Sequence, residues 1–318
     1  MPQKRVLVFQ PIHEAGIAAL TSAGIEVVRA PDARRETLLA MIPDADGLIV
    51  RTTGMIGGEV MDRAPRLKVI GRHGVGVDHI DLEAARQRGI VVVNTPEANS
   101  QGVAEYAVGL MLSACRFLPT ADAAVREGRW AERERLIGAE LHGHTLGIIG
   151  LGRIGSRVGR ICRLGFQMRV RYYDIVRKHK EEKALGIEFA SFEEVIAEAD
   201  ILTLHTPLTP LTRHMMNRET LSRMKQGAYL INTSRGEVVH LDALVESLRT
   251  GHLKGAALDV FPDEPLPPEH PVLRLPNVVL SPHMASHSEE SMVRMSLVAE
   301  DVVRVLTGQP PRYPVLPE

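Results

Sequence analysis

Three side chains in the C-terminal half of the sequence have the right chemistry to hold a small organic acid and move a proton on it. Arg235 stands in Asn232-Thr233-Ser234-Arg235-Gly236, Glu264 in Asp259-Val260-Phe261-Pro262-Asp263-Glu264-Pro265, and His283 in Leu280-Ser281-Pro282-His283. A guanidinium grips a carboxylate with two parallel hydrogen bonds and polarises a neighbouring carbonyl. An imidazole exchanges a proton with a hydroxyl near neutral pH. A carboxylate behind the imidazole fixes its tautomer and favours its charged form. Such a set suits hydride chemistry at the carbonyl of a keto acid. Each residue also has an ordinary reading. Arginines are common on surfaces, Glu264 lies in a Pro-rich loop, and His283 is one of 13 histidines. Spacing alone does not select the trio.

A second pattern concerns a cofactor. The apolar run Leu146–Ile149 leads straight into Gly150-Leu151-Gly152-Arg153-Ile154-Gly155, and a helical pattern follows. Gly150 permits a tight turn, Gly152 lets the backbone approach a diphosphate, and Gly155 lets the helix pack on the strand. The anion would sit on the helix N-terminus, where N–H groups and the dipole favour negative charge. The next apolar run, Val170–Tyr173, ends in Asp174, about 20 residues after Gly155. An acid there accepts hydrogen bonds from ribose hydroxyls and repels a 2′-phosphate, which favours NAD over NADP. Arg177 and Lys178 lie beside it and pull the other way.

These residues need strand ends to stand on. Apolar runs read as strands at Val6–Phe9, Ile25–Val28, Gly47–Val50, Lys68–Ile70 and Ile90–Val93. A second series reads at Leu146–Ile149, Val170–Tyr173, Ile201–His205, Tyr229–Asn232, Ala256–Leu258 and Val278–Leu280. Amphipathic stretches such as Glu14–Ser22 and Leu82–Gln87 alternate with them. Longer helices are expected over Gly102–Phe117 and Glu290–Leu306, the latter capped at Gly308. Short continuous apolar strands alternating with helices predict parallel sheets covered on both faces. The chain therefore reads as α/β, two doubly wound parallel-sheet domains, with an extended Pro-rich tail from Pro310 to Glu318.

Bulk properties narrow the class. The 318 residues exceed one ordinary core, so two domains are expected. Lys+Arg is 38 against Asp+Glu 39, a net charge of -1, which gives no basic excess for nucleic acid or an anionic membrane. No stretch approaches the roughly 20 apolar residues of a membrane span. The N-terminal apolar run is too short for a signal peptide. Cys115 and Cys162 lie in apolar helical patterns, so reduced thiols, a cytoplasmic location and no metal site are expected.

Several blocks, in order, resemble the D-isomer-specific 2-hydroxyacid dehydrogenase family, and within it most closely the phosphoglycerate dehydrogenases. They are Gly47–Arg51, Gly74–Asp78, Val93–Pro96, Leu146–Gly155, His205–Leu208, Thr233–Gly236, Ala257–Phe261 and Ser281–His283. The resemblance implies that Arg235, Glu264 and His283 are catalytic. It implies cofactor contacts at Arg153, Ile154, Asp174, Thr206, Pro207, Thr233, Ser234 and Asp259, beside Gly150, Gly152 and Gly155. The backbone of Val75 and Gly76 would hold the substrate carboxylate. Arg51 matches a position that can bind a distal phosphate, and equally reads as a strand-end arginine facing solvent. The implied architecture is a Rossmann NAD domain, residues 99–289, inserted in a flavodoxin-like substrate domain, residues 1–98 and 290–318. The long helices at Gly102–Phe117 and Glu290–Leu306 would be the crossings, with the active site in the cleft. The Trp130 region resembles the family's interface segment, which implies a homodimer or larger homo-oligomer. The implied activity is NAD-dependent interconversion of a D-2-hydroxy acid and its 2-keto acid, with 3-phosphoglycerate/phosphohydroxypyruvate as one pair. A glyoxylate/hydroxypyruvate reductase, or a non-catalytic NAD(H)-sensing interaction protein of the same fold, remains open. Val75 and His79 depart from the Thr and Asn usual in phosphoglycerate dehydrogenases, which leaves the substrate open.

Overall fold

In the computed structural model, residues 3–52 and 54–316 are described. The chain divides into two compact units. One holds the residues up to Asn99 together with those from His287 onward, and the other runs Ser100–Ser286.

The first unit is built on strands β1 (Arg5–Val8), β2 (Glu26–Arg29), β3 (Gly47–Val50), β4 (Val69–Arg72) and β5 (Val91–Val93). They are parallel and ordered β2-β1-β3-β4-β5. All four β3 residues are buried, because helices cover both faces. Leu48 and Val50 pack in one apolar layer and Ile49 in the other, the alternation that a strand imposes. The C-terminal helix Val298–Leu306 belongs to this layer. Val298, Ala299 and Val302 pack with Val6, Ile49 and Val69, and burying two valines contributes about 3–5 kcal/mol.

Two details here differ from the sequence reading. The helix expected over Glu290–Leu306 is two helices, Glu289–Ser296 and Val298–Leu306, broken at Leu297. The Ser296 hydroxyl donates to Met292 O and accepts the His13 N–H, a tertiary bond at the break. The Pro-rich tail adds a strand, Pro314–Val315, antiparallel to β5. Its last residues, Pro317 and Glu318, lie outside the described residues.

The second unit carries β6 (Thr145–Ile149), β7 (Arg169–Tyr173), β8 (Glu188–Phe189), β9 (Ile201–Leu204), β10 (Tyr229–Asn232), β11 (Gly255–Leu258) and β12 (Val278–Leu280). The order is β12-β11-β10-β9-β6-β7-β8, every pair parallel. The strand order reverses between β6 and β9, so this is a Rossmann-type sheet whose ligand edge lies at the carboxyl ends there. On β10, Leu230 enters one apolar layer while Tyr229 and Ile231 enter the other. Cys115 and Cys162 are free and buried in that second layer, where desolvation pushes both thiols up to about 12. Among the described residues no single helix is long and apolar enough to cross a membrane.

Candidate active site

The glycine turn closes over the end of β6. Gly150 has φ +92, and a Cβ there would meet the His205 carbonyl oxygen at 2.7 Å. A Cβ on Gly155 would lie 2.1 Å from Gly150 O, so the helix Arg153–Gly165 can seat on the turn only through glycine. At Gly152 a Cβ would meet nothing within 4 Å. No side chain caps this helix N-terminus, which leaves its dipole open to an anion. Asp174 stands at the end of β7. Its Oδ2 accepts the Leu151 N–H at 2.8 Å and its Oδ1 the Val176 N–H at 3.0 Å, tying it to the turn.

Three polar atoms at the ends of β9 and β10 are buried without a hydrogen-bond partner: His205 Nδ1, Thr206 Oγ1 and Thr233 Oγ1. Such orphans each cost about 1–3 kcal/mol unless a ligand meets them. Beside them Pro207 is exposed and Ser234 is buried, its hydroxyl donating to Asn232 Oδ1 at 2.8 Å. An open glycine, an uncapped helix end, a strand-end acid and orphaned hydroxyls fit a dinucleotide. Gly152, Ile154, Asp174, Thr206 and Thr233 are the residues that would hold it.

The trio stands on the ends of β10, β11 and β12. Asn232 shapes the first turn by accepting the Ser234 N–H and donating to Arg235 O. Arg235 is half-buried and donates to Ser234 O at 2.7 Å. Gly236 is pressed against the next loop, where a Cβ would lie 1.9 Å from Phe261 C. That loop carries Glu264, whose Oε1 accepts the Phe261 N–H at 3.0 Å. Glu264 Oε2 lies 2.6 Å from His283 Nδ1. Burial works to raise the Glu264 pKa. The bond from His283, that ring's charge, the Phe261 N–H and the Arg235 guanidinium outweigh it and hold the carboxyl below its ordinary range. With Nδ1 committed to Glu264, Nε2 is the ring atom left to exchange a proton.

His283 has φ +49, a left-handed conformation that a residue with a Cβ adopts at a cost of about 1–2 kcal/mol. Asp259 fixes it there. The Asp259 carbonyl accepts the His283 N–H at 2.8 Å. Its fully buried carboxylate accepts the Ser281 hydroxyl at 2.5 Å and the N–H groups of Met284 and Ala285 at 2.9 Å each. Sequence reasoning placed Asp259 among cofactor contacts. It missed this clamp, along with Ser281, Asn232 and Gly236. The motif Asn-Thr-Ser-Arg-Gly carried a signal for the turn, but nothing local signalled the clamp.

The remaining sequence-derived candidates belong to the first unit, also at strand ends. Arg51 follows β3, beside the point where the order reverses between β1 and β3. Its N–H donates to Gln10 Oε1 at 2.7 Å. Its guanidinium donates to Pro11 O at 3.2 Å and bonds His287 Nε2 at 2.8 Å. No carboxylate lies within ion-pair distance among the described residues, and burial lowers the Arg51 pKa. The loop 73–76 follows β4 with its carbonyls turned inward. Arg72 donates to Gly76 O at 2.6 Å and also to His73 O. Asn94 donates to Val75 O at 2.8 Å, and Thr95 donates twice to Gly74 O. The N–H groups of Gly74, Val75 and Gly76 donate to nothing among the described residues, a set that would suit a carboxylate.

Residues 108–285 match the family model of the D-isomer specific 2-hydroxyacid dehydrogenase, NAD binding domain. The chain is 44% identical over 307 residues to D-3-phosphoglycerate dehydrogenase of Methanocaldococcus jannaschii, covering 96% of this chain and 58% of that one. It thus spans little more than half of that relative's length. Against glyoxylate reductase of Korarchaeum cryptofilum the identity is 41% over 314 residues, covering 96% and 94%. A solved protein of Thermus thermophilus superposes with a TM-score of 0.92 at 44% identity, covering 98% of this chain and 100% of that one.

A doubly wound sheet with this glycine turn at its switch point defines a dinucleotide-binding α/β protein. The chain belongs to the D-isomer specific 2-hydroxyacid dehydrogenase family.

Proposed function

We propose that the protein interconverts a D-2-hydroxy acid and its 2-keto acid with NAD(H). The observation that carries this reading is a single sheet edge bearing both the glycine turn and the Arg235, Glu264 and His283 set. The bound dinucleotide supplies or accepts the hydride. Arg235 orients the substrate carboxylate and polarises its C2 oxygen. His283 gives a proton from Nε2 in keto-acid reduction and takes one in hydroxy-acid oxidation. Glu264 holds Nδ1–H and so fixes the tautomer. The free N–H groups of Val75 and Gly76 cradle the substrate carboxylate. In this reading residues 1–98 and 290–318 form the substrate domain, and 99–289 the NAD domain with Arg153, Ile154, Pro207, Ser234 and Asp259 among its cofactor contacts.

Arg51 favours a substrate with a distal anion, such as phosphohydroxypyruvate, because it is a partly desolvated guanidinium with no carboxylate beside it. Glyoxylate and hydroxypyruvate lack that group. NADH turnover with phosphohydroxypyruvate, hydroxypyruvate, glyoxylate and pyruvate tests the class. Arg51→Ala should weaken phosphohydroxypyruvate about tenfold or more relative to hydroxypyruvate. Equal losses would remove the distal anion from the reading. Turnover of none of the four would leave an NAD(H)-sensing role. The exposed apolar residues Leu118, Val125, Trp130 and Ile137 support a second copy of this chain as partner. Trp130→Glu should then shift the sedimenting species towards monomer. The free buried thiols fit a reducing, cytoplasmic setting.

A further inference from the structure

Three positions beyond Asp174 stands Arg177, a cation placed where a guanidinium recognises a ribose 2′-phosphate in sheets of this type. Its side chain is held against its own domain. Nε and Nη2 bond the two oxygens of Glu182 at 2.9 Å each, and Cζ lies 5.3 Å from the centre of the Phe189 ring. Glu182 is itself anchored. It accepts the Tyr172 hydroxyl at 2.7 Å, and that hydroxyl accepts the Lys178 N–H at 2.7 Å. Tyr172 is fully buried in β7, the strand that ends in Asp174, and Phe189 ends β8 beside it. The carboxylate and the ring thus fix the guanidinium on one side of the loop, and the buried tyrosine holds the carboxylate in place. The hydrogen bond from Arg177, then that from Tyr172, holds the Glu182 carboxyl down at about 2 against its burial, so it stays charged at any working pH.

We propose that Glu182 is a positioning residue for cofactor selectivity: by fixing Arg177 over Phe189 it withholds that guanidinium from a ribose 2′-phosphate. This rests on the NAD reading above and adds a second device to the repulsion by Asp174. Arg177 is about half exposed, so its pair with Glu182 is a moderate restraint, equivalent to about fivefold in affinity. Removing the carboxylate also removes a like charge from the neighbourhood of the phosphate. Lys178 keeps its ammonium in every variant below, so the double variant separates the part due to Arg177 from the part due to the lost like charge.

The experiment is calorimetric binding of adenosine 2′,5′-bisphosphate and of AMP, without turnover. It compares the wild type with Glu182→Gln, Arg177→Ala and the double variant. Gln keeps an acceptor for Tyr172 and loses the charge. Glu182→Gln should bind the bisphosphate about five- to tenfold more tightly, with AMP affinity unchanged, and adding Arg177→Ala should remove most of the gain, leaving only the small part due to the lost like charge. No gain in a variant with wild-type thermal midpoint, or a gain that survives Arg177→Ala undiminished, overturns the proposal. Should Glu182→Gln not fold, Arg177→Ala alone decides. A withheld guanidinium predicts unchanged bisphosphate affinity, and a fivefold loss refutes it. A wild type that binds the bisphosphate more tightly than AMP would sink the NAD reading itself. A wild type that prefers AMP, with no gain in Glu182→Gln, would sink this inference alone.

Discussion

Replacing Glu264 by Gln separates the charge of the proposed proton relay from its shape. His283 Nδ1 lies 2.6 Å from Glu264 Oε2, and Phe261 N–H holds the other oxygen at 3.0 Å. An amide of the same size can still accept from Nδ1–H, so the ring keeps its tautomer. It loses the charge that stabilises the imidazolium. A hydrogen bond to an ionised group contributes about 1.5–3 kcal/mol against 0.5–1.5 for a neutral one, a loss of about 1–1.5 kcal/mol. Both side chains are 35% exposed, and screening trims the loss to about 1 kcal/mol. At about 1.4 kcal/mol per pH unit, the kcat/KM profiles should move by about 0.7 pH. The sign follows from which form is lost. Keto-acid reduction starts from the cation, so its alkaline fall should move down by that amount. Hydroxy-acid oxidation starts from the neutral ring, so its acid fall should move down as well. Glu264 is held below its ordinary range, so the wild-type carboxylate stays charged across an assay from pH 5 to 10. The assay is kcat/KM against pH in both directions, followed at the NADH absorbance, with NADH affinity measured separately. Profiles that stay in place or move up would detach Glu264 from the proton carrier. A full-rate His283→Gln would remove His283 altogether.

Arg235→Lys should raise KM and lower kcat for keto acids, about tenfold or more in kcat/KM, because a point charge replaces a two-pronged donor. NADH affinity should stay the same, and unchanged kinetics would take Arg235 out of the site. Gly155→Ala sets about 1 kcal/mol of helix propensity against a Cβ placed 2.1 Å from Gly150 O. The backbone clash costs about 1–3 kcal/mol and wins, so the thermal midpoint should fall and NADH should bind more weakly. A higher midpoint would show that the turn yields. Burial, then the charges of Arg51 and Arg72, pushes His73 down to about 3 from an ordinary 6.5. The unfolded chain therefore takes up the proton first, and stability present above pH 6.5 is lost as pH falls towards 3. At pH 5 the loss is about 2 kcal/mol, and His73→Gln should flatten the fall in thermal midpoint between pH 7 and 4. A wild-type midpoint that is flat over that range would refute it.

What could be read in the sequence, and what could not, follows from the range of the interactions. Strands buried on both faces announce themselves as apolar runs, and Gly47–Val50 and Tyr229–Asn232 coincide with β3 and β10 residue for residue. The glycine turn is equally legible, because the positive φ of Gly150 and the contact of Gly155 with Gly150 O fall within six consecutive residues, although the His205 carbonyl adds to the demand at Gly150. Glu188–Phe189 and Pro314–Val315 are too short to show a period, and they exist because β7 and β5 offer an edge. The break at Leu297 depends on a hydroxyl that meets His13 from the other end of the chain. In each of these cases the deciding partner lies elsewhere in the sequence.

The same distinction orders the site itself. The proposed chemistry needs an imidazole presented at a fixed angle, and the chain places His283 in a conformation that its own Cβ disfavours. Strain of about 1–2 kcal/mol must be outweighed by bonds that a relaxed turn would forgo. Asp259 supplies them: one carbonyl and one buried carboxylate collect His283 N–H, the Ser281 hydroxyl, Met284 N–H and Ala285 N–H. Charge-assisted bonds of this kind contribute about 1.5–3 kcal/mol each, so two of them exceed the strain. The carboxylate also depends on them, since a buried charge without donors would be far less stable. Loop 73–76 follows the same logic in the first unit, where Arg72, Asn94 and Thr95 take its carbonyls and leave its N–H groups for the substrate carboxylate proposed above. The groups that would touch substrate are recognisable by type, but their orientation is set by buried polar partners on neighbouring strand ends.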